Sequence, residues 1–184
     1  MRKTANYELN QWDPGDRILR EEFNGDNARI DAALAAIPYV KIMEIDVTQA
    51  VQQIDLEIGP LDLSEYAALK IYCRTVGGNY LVRVNRQTSY RHLQSYSGAD
   101  DPSSRMLYAE GAEQYPTAAE ITLSGFPSGT LLGICNYGCA TNTVGGTMGS
   151  AFLLGGRPLE TISLIMESGS FQIGSHISMY GVKQ

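Results

Sequence analysis

The spacing of the apolar residues changes once along this chain, at Pro38. Before Pro38 the apolar side chains recur at steps of three and four residues, which is the period of one face of a helix. After Pro38 they recur at every second residue, which is typical of strands that bury one face. The change predicts two domains, a helical segment over residues 1–38 and a mainly β domain over residues 39–184.

The helical segment is predicted to run from Asp13 to Pro38. Asp13 is placed to cap the helix, Pro14 suits its first turn, and Pro38 ends it. A narrow seam on one side comprises six residues: Leu19, Phe23, Asn27, Ile30, Leu34 and Ile37. A seam flanked by charged residues is what a bundle of identical helices buries, and a polar Asn27 would fix its register. The seam therefore predicts a homotrimeric coiled coil.

Two alternatives remain for this segment. Asn24-Gly25 lies inside it, and glycine costs a helix interior about 1 kcal/mol relative to alanine. The segment can therefore also be two short helices, the second of them capped by Asn24 or Asp26. It can also be an ordinary amphipathic helix that packs across the sheet of its own chain.

Runs of period two predict about nine strands after Pro38, at spacings typical of a β-sandwich or a jelly roll. The first run, from Val40 to Val47, slips in its alternation at Ile42 and Met43, which predicts a β-bulge. Gly77-Gly78 separates two alternating runs and predicts the clearest hairpin. Further strands are predicted within residues 54–58, 69–76, 80–85, 106–108, 120–123, 131–136, 148–154, 159–166 and 175–182.

Composition and charge argue against several classes of protein. The chain is 43% hydrophobic and 18% charged, which is typical of a globular domain rather than of a disordered one. Its net charge of -6 argues against a nucleic-acid binder, because no basic stripe is present to replace counterions. No apolar run reaches the length of a membrane span, and residues 1–12 lack the apolar region of a secretion signal. We therefore predict no signal peptide and no membrane insertion.

The residues that could carry chemistry form no known catalytic motif. Cys73, Cys135 and Cys139 suit neither a disulfide framework nor a zinc site, because their number is odd and no Cys-x-x-Cys pair occurs. His176 is predicted to be a structural histidine with satisfied hydrogen bonds. Asp100-Asp101 lacks the ligand spacing of a calcium loop. We predict that the protein is not an enzyme and has neither a cofactor nor a metal site.

A polar, aromatic-rich stretch from Gln87 to Pro116 interrupts the strand pattern. Long polar segments of this kind are usually functional or mobile loops. Saccharide sites combine aromatic faces with side chains that hydrogen-bond hydroxyl groups. Six residues of the stretch are the predicted ligand-binding site: Tyr90, Arg91, His92, Tyr96, Asp100 and Asp101. Tyr108 and Tyr115 belong to the same stretch, and they can equally be residues that cover a sheet edge.

The two ends of the chain carry a resemblance to a known family. In the N-terminal segment the resemblance is carried by Asn6-Tyr7, Leu9 to Trp12, Asp16-Arg17 and the run from Phe23 to Leu34. These residues resemble the opening of short tail-fibre or baseplate-associated proteins of phages and prophages of Gram-positive gut bacteria. The ending from Gly174 to Val182, closing in Tyr-Gly-Val, is similar to the last strand of β-sandwich domains in phage structural proteins. The resemblance implies tail attachment through residues 1–38 and a β domain exposed on the particle.

We therefore expect a virion component that is made in the bacterial cytoplasm. The resemblance, together with the predicted ligand-binding residues of the interrupted stretch, favours a tail-fibre or receptor-binding protein that recognises a cell-surface glycan. Its expected partners are two further copies of itself and other tail or baseplate proteins. The alternative is a purely structural baseplate, tail-tip or capsid decoration subunit that binds no ligand.

Overall fold

The structure is a computed structural model that describes residues 2–88, 90–93, 100–103, 106–111, 114–126, 129–139, 144–154 and 156–184. Of residues 90–93, 100–103 and 144–153 it describes the backbone alone. The chain divides into two compact units, Met1–Pro38 and Tyr39–Gln184.

The first unit contains a short pair of strands and one helix. Its elements are β1 (Arg2–Lys3), β2 (Asn10–Gln11) and α1 (Arg20–Ala35), with β1 antiparallel to β2. The backbone N–H of Asn10 donates a hydrogen bond of 3.0 Å to the carboxylate of Asp26, the buried residue of α1. The guanidinium of Arg29 donates to the same carboxylate at 3.1 Å. A paired, buried carboxylate on α1 therefore holds the N-terminal arm.

The prediction that the helix starts after Asp13 is wrong. Asp13 and Asp16 close a turn instead, in which the N–H of Asp16 donates to the Asp13 carbonyl and the N–H of Asp13 donates to the Asp16 carboxylate, each at 2.9 Å. The helix begins at Arg20, and Leu19 is its extended N-cap residue without a side-chain cap. Aspartate side chains bond readily to nearby backbone groups, so a capping pattern can also make a turn.

The helix is continuous through Asn24-Gly25, so the alternative of two short helices is wrong. Asp26 does not cap a second helix, because its carboxylate accepts the hydrogen bonds from Asn10 and Arg29. The apolar seam residues are exposed in the single chain, and so is Asn27.

The second unit is mainly β, as predicted. Its strands in the described residues are β3 (Tyr39–Asp46), β4 (Gln53–Glu57), β5 (Tyr66–Thr75), β6 (Tyr80–Val84), β7 (Tyr90–Leu93), β8 (Asp100–Ser103), β9 (Leu107–Ala109), β10 (Thr117–Ser124), β11 (Thr130–Cys139), β12 (Val144–Leu153), β13 (Thr161–Met166) and β14 (His176–Lys183). β7 and β8 are strands that the sequence pattern did not predict. The bulge predicted in β3 is confirmed, because Met43 pairs with Met179 and Lys41 with Tyr180, which leaves Ile42 as the extra residue.

The strands of the second unit form two antiparallel sheets. The larger sheet has the order β3-β14-β5-β10-β11-β12-β7-β8, and the smaller sheet has the order β4-β13-β6-β9. From β3 to β6 the chain alternates between the two sheets with every strand.

Both sheets contribute side chains to one buried hydrophobic cluster. Alternate residues are buried along β4, β5 and β10, which is the pattern expected of sheets that pack through one face. The cluster includes Leu69, Ile71, Ile121, Leu123, Ile177 and Met179 from the larger sheet, and Leu56, Val82, Leu107, Ile162 and Leu164 from the smaller one. The second unit is therefore a β-sandwich-like domain.

The hairpin predicted at Gly77-Gly78 is wrong. β5 pairs with β10 and β14 in the larger sheet, whereas β6 pairs with β9 and β13 in the smaller one. Gly77 and Gly78 have φ values of 139° and 107°, and a Cβ on Gly77 would lie 2.1 Å from the carbonyl oxygen of Ser170. The two glycines therefore let the chain cross between the sheets, past the backbone of Ser170.

The last strand carries a close contact between Gly181 and Tyr66. A Cβ on Gly181 would lie 2.2 Å from Cε1 of the Tyr66 ring, which is buried. We expect Gly181→Ala to lower the free energy of unfolding by about 1–3 kcal/mol, because the added methyl has to displace this ring. Urea denaturation measures the change.

A double-mutant cycle provides the control for this contact. Tyr66→Ala removes the ring, so adding Gly181→Ala to that variant should cost less than adding it to the natural sequence. Strictly additive losses would show that the ring is not what opposes the methyl group.

Candidate functional site: a pocket on the larger sheet

Five of the six residues predicted to bind a ligand lie in two strands at one end of the larger sheet. Tyr90, Arg91 and His92 belong to β7, and Asp100 and Asp101 belong to β8, with His92 paired to Asp101. Tyr96 lies outside the described residues, and so do the side chains of the other five. The ligand role of these six side chains stays a prediction.

A different group of residues forms a pocket of about 520 Å³ on the larger sheet, on the face that points away from the core. Two rows of residues cross β14, β5, β10 and β11 in register. One row is His176, Arg74, Ala118 and Gly138, and the other is Ser178, Tyr72, Glu120 and Asn136. Each strand contributes positions two residues apart, and such positions share one face of a sheet.

Small residues create the hollow in the first row. Ala118 pairs with Gly138, and a Cβ added to Gly138 would meet no atom within 4 Å. The second row places the larger side chains of Glu120 and Asn136 beside Ala118 and Gly138. The surface over Ala118 and Gly138 is therefore open space within the pocket.

Two aromatic residues, Tyr72 and Tyr137, line the pocket, and Tyr72 is the more exposed of them. Its side chain is 39% exposed. Its ring meets the ring of Tyr180 edge to face, with the centroids 5.9 Å apart and the planes at 73°. This arrangement is a favoured one for aromatic pairs, so Tyr180 holds the Tyr72 ring in place while part of its surface stays open to a ligand.

Most charged groups on this face neutralise one another. Lys70 on β5 forms an ion pair with Glu120 on β10. The ring of His176 lies between two carboxylates, with Nδ1 2.8 Å from Asp46 and Nε2 3.3 Å from Glu44. The prediction that His176 is a satisfied structural histidine is confirmed.

Arg74 differs from these groups. It is exposed, and within the residues that the structure describes no carboxylate lies at ion-pair distance from its guanidinium. A guanidinium carries five N–H donors in a planar fork. Within the described residues these donors therefore have no carboxylate partner at the edge of the hollow.

The cysteine beneath the pocket is not a nucleophile. Burial raises the pKa of the Cys73 thiol to about 12, and burial raises the pKa of Cys135 to about 12 as well. A thiol rather than a thiolate is present at neutral pH, and only the thiolate attacks. Cys139 is buried as well, at the end of β11.

The remaining two tyrosines of the interrupted stretch lie elsewhere. Tyr108 is on β9, one of the two edge strands of the smaller sheet, and its hydroxyl donates to the Glu167 carboxylate at 3.3 Å. Tyr115 is exposed beside the start of β10. Neither residue lines the pocket.

Sequence reasoning missed Tyr72, Arg74 and Asn136. One signal in the sequence points to them. Lys70, Tyr72 and Arg74 are the outward positions of an alternating run, and all three have large side chains with polar groups. Strand pairing decides which residues of β10 and β11 lie beside these three side chains. The alternation of apolar and polar residues along a strand does not encode that pairing.

In the part of the chain that the structure describes, no three His, Cys, Asp or Glu residues are grouped so that they could hold a metal ion. No helix among the described residues has both the length and the apolar character that crossing a membrane requires.

In comparisons with known proteins, no family model matches the chain and no curated protein matches it. The resemblance to phage tail proteins therefore stays a prediction.

Proposed function

We propose that this protein is a non-enzymatic component of a phage tail or tail-like particle, and that it binds a cell-surface glycan in the pocket of the larger sheet. The observation that carries the proposal is the pocket itself. It combines a fixed, partly open aromatic ring at Tyr72, polar groups at Arg74 and Asn136, and a hollow over Gly138. Saccharides need this combination, because their rings have apolar faces and their rims carry hydroxyl groups.

The particle context comes from the resemblance at the two ends of the chain. In this proposal Met1–Pro38 attaches the protein to other tail or baseplate proteins, and Tyr39–Gln184 displays the pocket. The protein is then a part of the virion and acts in host attachment.

For the second unit we propose a jelly roll. Its strand pairing supports this assignment, because the pairs β3–β14, β4–β13, β5–β10 and β6–β9 are nested one inside the next along the chain. Nested pairing arises when an antiparallel pair of long segments rolls up into two sheets. β7 and β8, together with β11 and β12, then extend the larger sheet beyond the eight strands of the roll.

For the first unit we propose a trimer that forms through the seam of α1. Phe23, Ile30 and Leu34 are exposed by 54%, 42% and 60% in the single chain. Leu19 and Ile37, which flank the helix, are exposed as well. Burying these side chains between copies removes apolar surface from water, and Asn27 within the seam sets the register.

One observation favours the purely structural alternative. Leu132 and Ile134 are exposed on β11, two residues apart and therefore on one face. Exposed aliphatic side chains without hydroxyl-binding partners suit a contact between protein subunits better than a saccharide. A baseplate, tail-tip or capsid decoration subunit would use them in this way.

Binding of the purified protein to an array of bacterial-surface polysaccharides separates the two functions. The glycan proposal expects saturable binding to a subset of the array and to the cells that carry the same polysaccharides. Absence of binding, together with incorporation of the protein into tail particles, would favour the structural subunit.

A further inference from the structure

The charge balance of the larger sheet singles out one residue of the pocket. Three basic groups, Lys41, Lys70 and His176, are each in contact with a carboxylate of Glu44, Asp46 or Glu120. Arg74 lies in register between His176 on β14 and Ala118 on β10, and it has no such carboxylate among the described residues. Within the described residues it is thus a positive charge without a carboxylate partner at the rim of a hollow.

We propose that Arg74 selects saccharides that carry an acidic group, either a carboxylate or a phosphate. The inference rests on the proposed function and adds the class of ligand to it. A guanidinium fork binds the paired oxygens of either group through two parallel hydrogen bonds, and such charge-assisted pairs are stronger than neutral ones.

The spacing of the pocket residues suits a sugar that carries such a group. Tyr72 and Arg74 are two positions apart on β5, which places their Cα atoms about 7 Å from one another on the same face. Asn136 lies across β10 from Tyr72. A ring that contacts Tyr72 and lies over Ala118 therefore brings a substituent on its rim to Arg74.

The net charge of the whole chain opposes this binding at long range. At -6 the protein repels acidic polymers, and that repulsion weakens within about 10 Å at 0.1 M salt. Selectivity for acidic saccharides therefore depends on short-range contact with Arg74.

The test compares matched pairs of saccharides. One pair is a glucuronic-acid oligosaccharide and the same oligosaccharide with its carboxyl groups reduced to hydroxymethyl groups. The other pair is a glycosylated glycerol-phosphate polymer and the same glycosides without phosphate. We expect at least a tenfold preference for the acidic member of at least one pair, and the pair that shows it identifies the carboxylate or the phosphate as the ligand.

Arg74→Gln is expected to abolish this preference, because the variant lacks the guanidinium that pairs with the acidic group. Arg157→Gln removes the same charge from an exposed arginine in the connection between β12 and β13, and it should keep the preference. Thermal unfolding of both variants verifies that they are folded.

The outcomes separate this inference from the proposed function. If the natural protein binds both members of each pair equally, or if Arg74→Gln retains the preference, the role of Arg74 is wrong and glycan binding stands. If no saccharide of the panel binds, the proposed function is overturned together with this inference.

Discussion

Replacing Gly138 by tryptophan is expected to lower saccharide affinity by at least about 100-fold, which corresponds to about 2.8 kcal/mol of binding free energy. The indole would fill the hollow beside Ala118 that the ligand occupies. The protein should still fold, because a Cβ at Gly138 meets no atom within 4 Å and Gly138 has no positive φ. Calorimetric titration with the saccharide that binds the natural protein measures the loss.

Gly15→Trp is the matched control for this substitution. Gly15 also has open space around its Cβ position, and it lies in the first unit, away from the pocket residues in sequence. Its tryptophan should leave affinity unchanged. Full affinity in a folded Gly138→Trp variant would mean that saccharides bind somewhere other than this pocket.

Placing two glutamates in the seam of α1 is expected to convert a trimer into a monomer. Phe23→Glu and Leu34→Glu together put charges where three helices would bury apolar side chains, and unpaired buried charges are strongly unfavourable. Light scattering should give the mass of three 20.1 kDa chains for the natural protein and of one for the variant.

The control for the seam places the same two charges on the other side of the helix. Ala28 and Ala32 are exposed and lie on the face of α1 opposite the seam. A variant with Ala28→Glu and Ala32→Glu should keep the mass of three chains. A monomeric natural protein would contradict the trimer and leave the exposed seam without the role proposed for it.

The sequence alone predicts most of the strands, because many of them bury alternate residues. Even the bulge at Ile42 is visible in the sequence, since one extra residue shifts the alternation of β3. β7 and β8 could not be predicted in this way, because the residues from Tyr90 to Ser103 do not alternate clearly in hydrophobicity.

The pairing of strands is harder to predict than the strands. The runs on either side of Gly77-Gly78 alternate as a hairpin would, but β5 and β6 belong to different sheets. Alternation reports which residues face the core and not which strand lies alongside. The start of α1 was missed for a similar reason, because Asp13 suits a helix cap and a turn equally well, and Asp16 completes the turn.

The candidate site depends wholly on pairing. Tyr72, Glu120 and Asn136 are far apart in the sequence and become neighbours only because β5, β10 and β11 pair in one register. Prediction from composition favours a contiguous aromatic-rich stretch, such as the one that contains Tyr90 and Tyr96. A site assembled across strands has no such local signal.

Mapping a bound saccharide onto the backbone amides by nuclear magnetic resonance is the most direct test that the pocket binds glycans. We predict that the largest shifts on titration occur at the pocket rows of β14, β5, β10 and β11. Shifts that are confined to β7 and β8 would place the ligand at the sheet edge instead, and an absence of shifts with every saccharide of the panel would contradict glycan binding itself.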